Sequence, residues 1–289
     1  MANNKVLIVF GATGTVGHAL LQCVVKDAHL GKDSRCLPQQ GLNWNLGVLL
    51  LLRQMRSVVG HVVARLALEE AKCKELEKQF QGVTGMAVDA KDIKQVTQVF
   101  EKHKGEGILG VVNLMGDYHY CAMDDLEDAD IMTMMQDNLA TSFNVLKVGA
   151  PALAEAGGGS LACVGAAVVH YGMKNHEAWA AAKGAVEAMH RSAAATYAAS
   201  NVRINCVAAG LVQAPASSEV SRDPELGRAS AELYPLKRLA KPEDIAWAVC
   251  WLVHPKTAFT TGASIPVDGG LTTCQAVGLA KPAAAAAAK

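Results

Sequence analysis

The sequence of 289 residues has no CxxC pair, no long apolar run and no net charge, and each absence removes a class of function. Its eight cysteines, at 23, 36, 73, 121, 163, 206, 250 and 274, are scattered, and several stand in apolar runs such as Leu161-Ala-Cys163-Val and Val249-Cys250-Trp251. Reduced core thiols have this setting, whereas a metal centre needs Cys or His clustered at ligand spacing. No metal site is expected. The most apolar stretch, Val48–Leu52, falls far short of the roughly 20 residues of a membrane span. Lys plus Arg equal Asp plus Glu at 27 each, so no positive field draws nucleic acid or an anionic membrane. Met1-Ala-Asn-Asn-Lys runs straight into strand-like Val6–Phe10, leaving no room for a leader. The expectation is a soluble protein of the cytoplasm, or of an organelle matrix or stroma if a transit peptide has been removed.

What is present is ample apolar content, 51% of residues, in a regular alternation. Short apolar runs read as strands at Lys5–Phe10, Val58–Arg65, Gly85–Asp89, Gly110–Leu114, Ser160–Gly165, Arg203–Ala208 and Ser264–Val267. Amphipathic stretches read as helices at Thr15–Lys26, Leu68–Phe80, Lys91–Lys104, Ile131–Ala154, His176–Ala198 and Pro242–Leu252. Nearly continuous apolar strands alternating with helices specify an α/β fold, a single Rossmann-like, doubly wound parallel sheet covered on both faces. The domain is expected over 1–280, with an insertion at 27–57 and a low-complexity tail at 281–289. Roughly thirty residues between the first helix and the second strand exceed what that connection needs. They are either a functional insertion, a partner-binding element or a mis-spliced segment, and Val48–Leu52 within them competes with Val58–Arg65 as the second strand.

Gly11-Ala-Thr13-Gly14-Thr15-Val16-Gly17 follows a strand and opens a helix. Glycines there permit a tight turn and close approach of a pyrophosphate to the helix N-terminus. A GxxGxxG run alone is weak, and its position directly after the first strand strengthens it. At the end of the second strand an acid would hold a ribose 2′-OH, while Arg suits a 2′-phosphate. Both candidate strands end in Arg, at Arg65 or Arg53. NADP(H) is therefore expected ahead of NAD(H), against the plain alternative of an Arg lying along a strand end.

From this point the chain resembles the short-chain dehydrogenase/reductase family over nearly its whole length. The landmarks come in order: Gly11–Gly17, Asp89, Asn113-Leu-Met-Gly116, Asn138 within Asp-Asn-Leu-Ala-Thr, Lys183 within Ala-Ala-Ala-Lys-Gly-Ala-Val, Arg203-Ile-Asn205, Pro242-Glu-Asp-Ile and Thr261-Gly-Ala-Ser-Ile-Pro-Val-Asp268. The resemblance implies that Asp89 contacts the adenine, Asn113 supports the adenosine side and Lys183 binds the nicotinamide ribose. It implies that Asn138 holds a water of the proton relay, and that Gly210 is the glycine of the family's Pro-Gly pair, with Ala209 in place of its Pro. It also implies a homo-oligomer through helices 131–154 and 176–198, the second rich in alanine.

The family's catalytic Tyr stands four residues before the Lys, and its Ser thirteen before the Tyr. Here those positions hold Trp179 and Ala166. An indole neither releases nor accepts a proton near neutral pH, and a positioned general acid is typically worth about 10²–10⁴ in rate. Ala214 likewise replaces a Thr that meets the nicotinamide. Two readings follow. In the first, the chain binds NADP(H), or neither nucleotide, without ordinary carbonyl catalysis, and serves as a sensor, scaffold or subunit, with a protein partner at 27–57. In the second, it is an active NADP(H)-dependent oxidoreductase whose acid is Tyr171 or His176, on the loop between the missing Ser and Tyr.

Overall fold

In the computed structural model, residues 5–12, 14–26, 59–66 and 70–274 are described. Thr13, the 27–57 insertion with Arg53 and the Val48–Leu52 strand candidate, and the 281–289 tail lie outside the described residues, as does the side chain of Arg65. The chain runs β1 (Lys5–Phe10), α1 (Thr15–Leu21), β2 (Val59–Leu66), α2 (Glu70–Gln79), β3 (Val83–Ala87), α3 (Ile93–Lys102) and β4 (Ile108–Asn113). It continues through α4 (Asp128–Met134), α5 (Thr141–Glu155), β5 (Gly159–Ala166), α6 (Glu177–Tyr197), β6 (Val202–Ala209), α7 (Pro224–Leu233), α8 (Pro242–Val253) and β7 (Ser264–Val267). All seven strands are parallel, in the order β3-β2-β1-β4-β5-β6-β7.

Alternation along each strand divides the core between two faces. Leu7, Val9, Val112, Ala162 and Val207 face one way and pack with Leu20 and Leu21 of α1 and Ile245, Val249 and Leu252 of α8. Val6, Ile8, Phe10, Val111, Leu161 and Ile204 face the other way, against Val96 and Phe100 of α3, Val145 and Leu153 of α5, and Ala194 of α6. Fully burying a side chain of this kind contributes about 1.5–3 kcal/mol, and it accounts for the near-continuous apolar strands.

The second strand is Val59–Leu66, seated between β1 and β3 with Arg65 level with Phe10. This settles the competition with Val48–Leu52. The third strand begins at Val83, two residues before the expected Gly85, because Val83 pairs with Val62. Gly85 sits where α2 crosses: a Cβ there would lie 2.8 Å from the Cys73 backbone oxygen. The long helix begins at Asp128 instead of Ile131, since Asp130 Oδ2 accepts the Glu127 N–H at 3.3 Å and closes its first turn. Between α4 and α5 it widens into a π-turn over Met135–Ala140. Such single-turn bulges frequently mark functional positions.

The order of the strands reverses between β1 and β4, and an open α/β sheet forms its ligand crevice beyond the carboxyl ends of strands at such a switch. The candidate site lies there.

Candidate functional site

The glycine turn leaves β1 at Gly11, and Gly14 donates its N–H to the Gly11 carbonyl at 3.2 Å. Gly17, on the first turn of α1, lies so close beneath that a Cβ would meet the Gly11 oxygen at 2.3 Å and the Ala12 Cα at 2.4 Å. The turn forms one wall of a cleft of about 360 Å³, to which Gly11, Gly14, Thr15, Val16 and Gly17 all contribute. That size falls within the usual range of small-molecule and cofactor sites.

Residues 114–118 after β4, Val164 and Gly165 of β5, and Trp179 and Lys183 of α6 also line the cleft, and Asn113 and the π-turn stand behind that loop. Asn113, buried at the end of β4, donates Nδ2 to Ser142 Oγ at 3.0 Å and accepts the Met115 N–H on Oδ1 at 3.1 Å, pinning the loop that leads to Gly116. Ser142 Oγ in turn donates to the Asn138 carbonyl at 2.8 Å. Asn138, fully buried, anchors its Nδ2 on the Met134 carbonyl at 3.1 Å and leaves Oδ1 without a partner. Gly116 has φ +141°, and a Cβ there would lie 2.6 Å from Lys183 Nζ and 2.7 Å from Asn138 Oδ1. An amine and an unpaired amide oxygen thus converge beside a residue that must stay bare. Lys183 donates to the Val164 carbonyl at 3.3 Å, and burial lowers its pKa, opposed by Cys206, Cys163, Glu187 and Asp117. A donor and an orphaned acceptor on one side, with a glycine turn on the other, fit a nucleotide with sugar hydroxyls. Asp89 does not line this cleft: its Oδ1 accepts the Lys91 N–H at 2.9 Å at the start of the next turn.

A second, smaller chamber of about 140 Å³ adjoins the cleft, and Tyr118, Trp179, Ala209, Gly210 and Leu211 line both. The indole of Trp179, one helical turn before Lys183, donates Nε1–H to the Asp117 carbonyl at 2.8 Å. Ala166 closes β5 in full burial. Of the two residues expected from sequence as substitute acids, His176 lines the chamber and Tyr171 lines neither space. The backbone at 170–171 turns back on Ala167, and Tyr171 points outward, 42% exposed and lining neither space.

His176 instead meets a residue that sequence reasoning missed. Tyr118 Oη lies 3.0 Å from His176 Nε2, and His176 Nδ1 lies 2.8 Å from the Lys174 carbonyl. A carbonyl only accepts, so Nδ1 carries the proton, and in the neutral ring Nε2 accepts the Tyr118 hydroxyl. The Tyr118 ring stands edge-on to Trp179, centroids 5.1 Å apart, and Tyr120 stands edge-on to His176 at 5.3 Å. Burial pushes the Tyr118 phenol up to about 12. The sequence signal was its place: a Tyr two residues after Gly116, on the loop leaving a central strand. Among the described residues no group of three or more His, Cys, Asp or Glu can hold a metal, and no helix is long and apolar enough to cross a membrane.

The family described as enoyl-(acyl carrier protein) reductase matches residues 52–272. The chain belongs to the short-chain dehydrogenase/reductase family. Among curated members, 3-oxoacyl-acyl-carrier-protein reductase FabG of Thermotoga maritima is 30% identical over 203 residues, 68% of this chain and 81% of that protein. A protein named inactive 2-(S)-hydroxypropyl-CoM dehydrogenase 2, from Xanthobacter autotrophicus, is 33% identical over 172 residues, 57% of this chain and 74% of that one. Among solved structures, ElxO with NADP bound has a TM-score of 0.75 at 17% identity, covering 93% of this chain and 98% of that one. That likeness shows the shared fold. The family is one of oxidoreductases.

Proposed function

We propose that this chain binds NADP(H) at the switch-point cleft and does not reduce carbonyls by the Ser–Tyr route of its family. The observation that carries the reading is Trp179: it stands where the resemblance puts the acid, it cannot ionise, and its N–H is taken up by the Asp117 carbonyl. Ala166 offers no hydroxyl to a carbonyl oxygen. The glycine turn and Lys183 line the cleft together, with Lys183 able to hold a ribose and the unpaired Asn138 Oδ1 behind Gly116 able to hold a water. A bound nicotinamide would supply or accept a hydride at the border of the two spaces. Arg65, at the carboxyl end of β2 and level with Phe10, favours a 2′-phosphate over a 2′-hydroxyl.

Titration with NADPH and NADH, exciting tryptophan and watching nicotinamide emission, tests this directly. Trp179 is expected to transfer energy to NADPH with saturation at micromolar concentration, and NADH to bind more weakly. No binding of either overturns the reading. A second expected outcome concerns chemistry: Trp179→Tyr with Ala166→Ser gains reduction of simple ketones by tenfold or more, a fraction of the about 10²–10⁴ that a positioned acid provides. Absence of any gain would show that more than the acid and the hydroxyl has changed at this end of the cleft.

A further inference from the structure

We infer that Tyr118, with His176 behind it, is the proton donor of this chain, acting on the carbonyl oxygen of a small, uncharged, apolar ketone held in the chamber beside the nucleotide cleft. The inference rests on the nucleotide-binding reading above and goes beyond it. Only a group lying at the border of both spaces can serve a substrate on one side and a hydride donor on the other. Five residues do so, and among them Tyr118 alone carries an ionisable group: Ala209, Gly210 and Leu211 have none, and the Trp179 indole does not ionise. His176 fixes the phenol through Nε2, and its own ring is fixed by Nδ1–H on the Lys174 carbonyl. The phenol is protonated at neutral pH, as any tyrosine is.

The chamber sets the substrate class. Val168, Met173, Leu226, Leu233 and Leu271 supply apolar walls, and no Asp, Glu, Lys or Arg is among the described residues that line it. A charged substrate would enter without a counter-charge, at a high desolvation cost. A reduced nicotinamide, when bound, would supply the hydride to the carbonyl carbon; Tyr118 turns its O–H from His176 Nε2 to the carbonyl oxygen and gives up its proton as the C=O π pair moves onto that oxygen. The phenolate then recovers its proton from water, and the neutral His176 Nε2 again accepts the Tyr118 hydroxyl. Ketone, reduced nicotinamide and one proton become secondary alcohol and oxidised nicotinamide.

The test uses the full chain, with cyclohexanone and acetophenone as probes. NADPH oxidation is expected in the wild type and is expected to fall about 10²–10⁴-fold in Tyr118→Phe, with the NADPH Kd within about threefold of wild type. Independently of turnover, calorimetric binding of cyclohexanone to the nucleotide-free protein weakens about 2–10-fold in Tyr118→Phe, the worth of one hydrogen bond. His176 is a positioning residue: His176→Ala loses turnover and recovers part of it with added imidazole, which a purely structural histidine would not. NADPH binding with no oxidation on either ketone, or a Tyr118→Phe variant as fast as wild type, overturns the inference and leaves the sensor or scaffold role expected from sequence. Failure to bind NADPH at all overturns the nucleotide reading itself, so the two failures are distinguishable.

Discussion

Gly17→Ala is expected to cost about 3 kcal/mol of stability, at the upper end of ordinary overpacking, and to abolish nucleotide binding. The added methyl carbon would sit 2.3 Å from the Gly11 oxygen and 2.4 Å from the Ala12 Cα, and these are backbone atoms, which no rotamer change can remove. Helix α1 must therefore move off the turn. That movement is resisted, because Leu20 and Leu21 on its inner side are fully buried against the sheet and α8. For a domain of this size the thermal midpoint falls by roughly 6–12 °C. The same shift opens the Gly11–Gly17 wall of the cleft, so NADPH titration should show no saturation even in the temperature range where circular dichroism reports a folded protein. A variant melting within 2 °C of wild type and binding NADPH normally would show that the turn is slack, and that it does not shape a nucleotide site.

The sequence made the sheet legible because parallel strands buried on both faces must be continuously apolar. β1 and β7 match expectation residue for residue, and the others differ at their ends, where pairing partners decide. Elements whose signal is polar were harder to read. No helix is among the sequence expectations at Pro224–Leu233, yet one forms there and Asp223 caps it, Oδ1 accepting the Glu225 and Leu226 N–H groups at 2.9 and 2.7 Å. Asp followed by Pro is an N-cap and first-turn pair, so that signal was present and unread.

The site divides in the same way. Gly11, Gly14, Thr15, Val16, Gly17, Gly116, Lys183 and Gly210 line one cleft, because each stands at the carboxyl end of a strand or on the helix beside it, with Asn138 behind Gly116. Asn113 acts one step back, holding the Gly116 loop. Tyr118 was invisible as a partner of His176: the two are 58 residues apart, and only the fold brings the loop after β4 against the start of α6. Tyr171 had the right chemistry in the right loop, but the local turn on Ala167 carries it outward. A loop's composition does not fix the direction of its side chains.

Helix α6 carries Lys183, Glu187 and His190 on its buried face, and the last of these gives the second large effect. His190 Nδ1 donates to the Val186 carbonyl at 2.8 Å, while Nε2 is buried with no partner. Burial, with help from the charge of Lys183, lowers its pKa from 6.5 to about 4. The folded protein therefore keeps this ring neutral where the unfolded chain protonates it. Above pH 6.5 both states are neutral and His190 contributes no pH dependence. As pH falls from 6.5 towards 4 the unfolded state gains a proton that the folded state refuses, and stability drops by about 1.4 kcal/mol per pH unit, to a total of about 3 kcal/mol. Below pH 4 both states are protonated and the loss stops growing. His190→Leu removes the titrating ring together with the orphaned Nε2. Urea unfolding at pH 7 should place the variant within about 1 kcal/mol of wild type, since the lost Nδ1 bond is offset by removal of an unsatisfied acceptor. At pH 4.5 the variant should be the more stable of the two, by about 2 kcal/mol. Parallel stability curves for the two proteins between pH 7 and 4.5 would mean that water reaches Nε2, and that this face of α6 is not sealed.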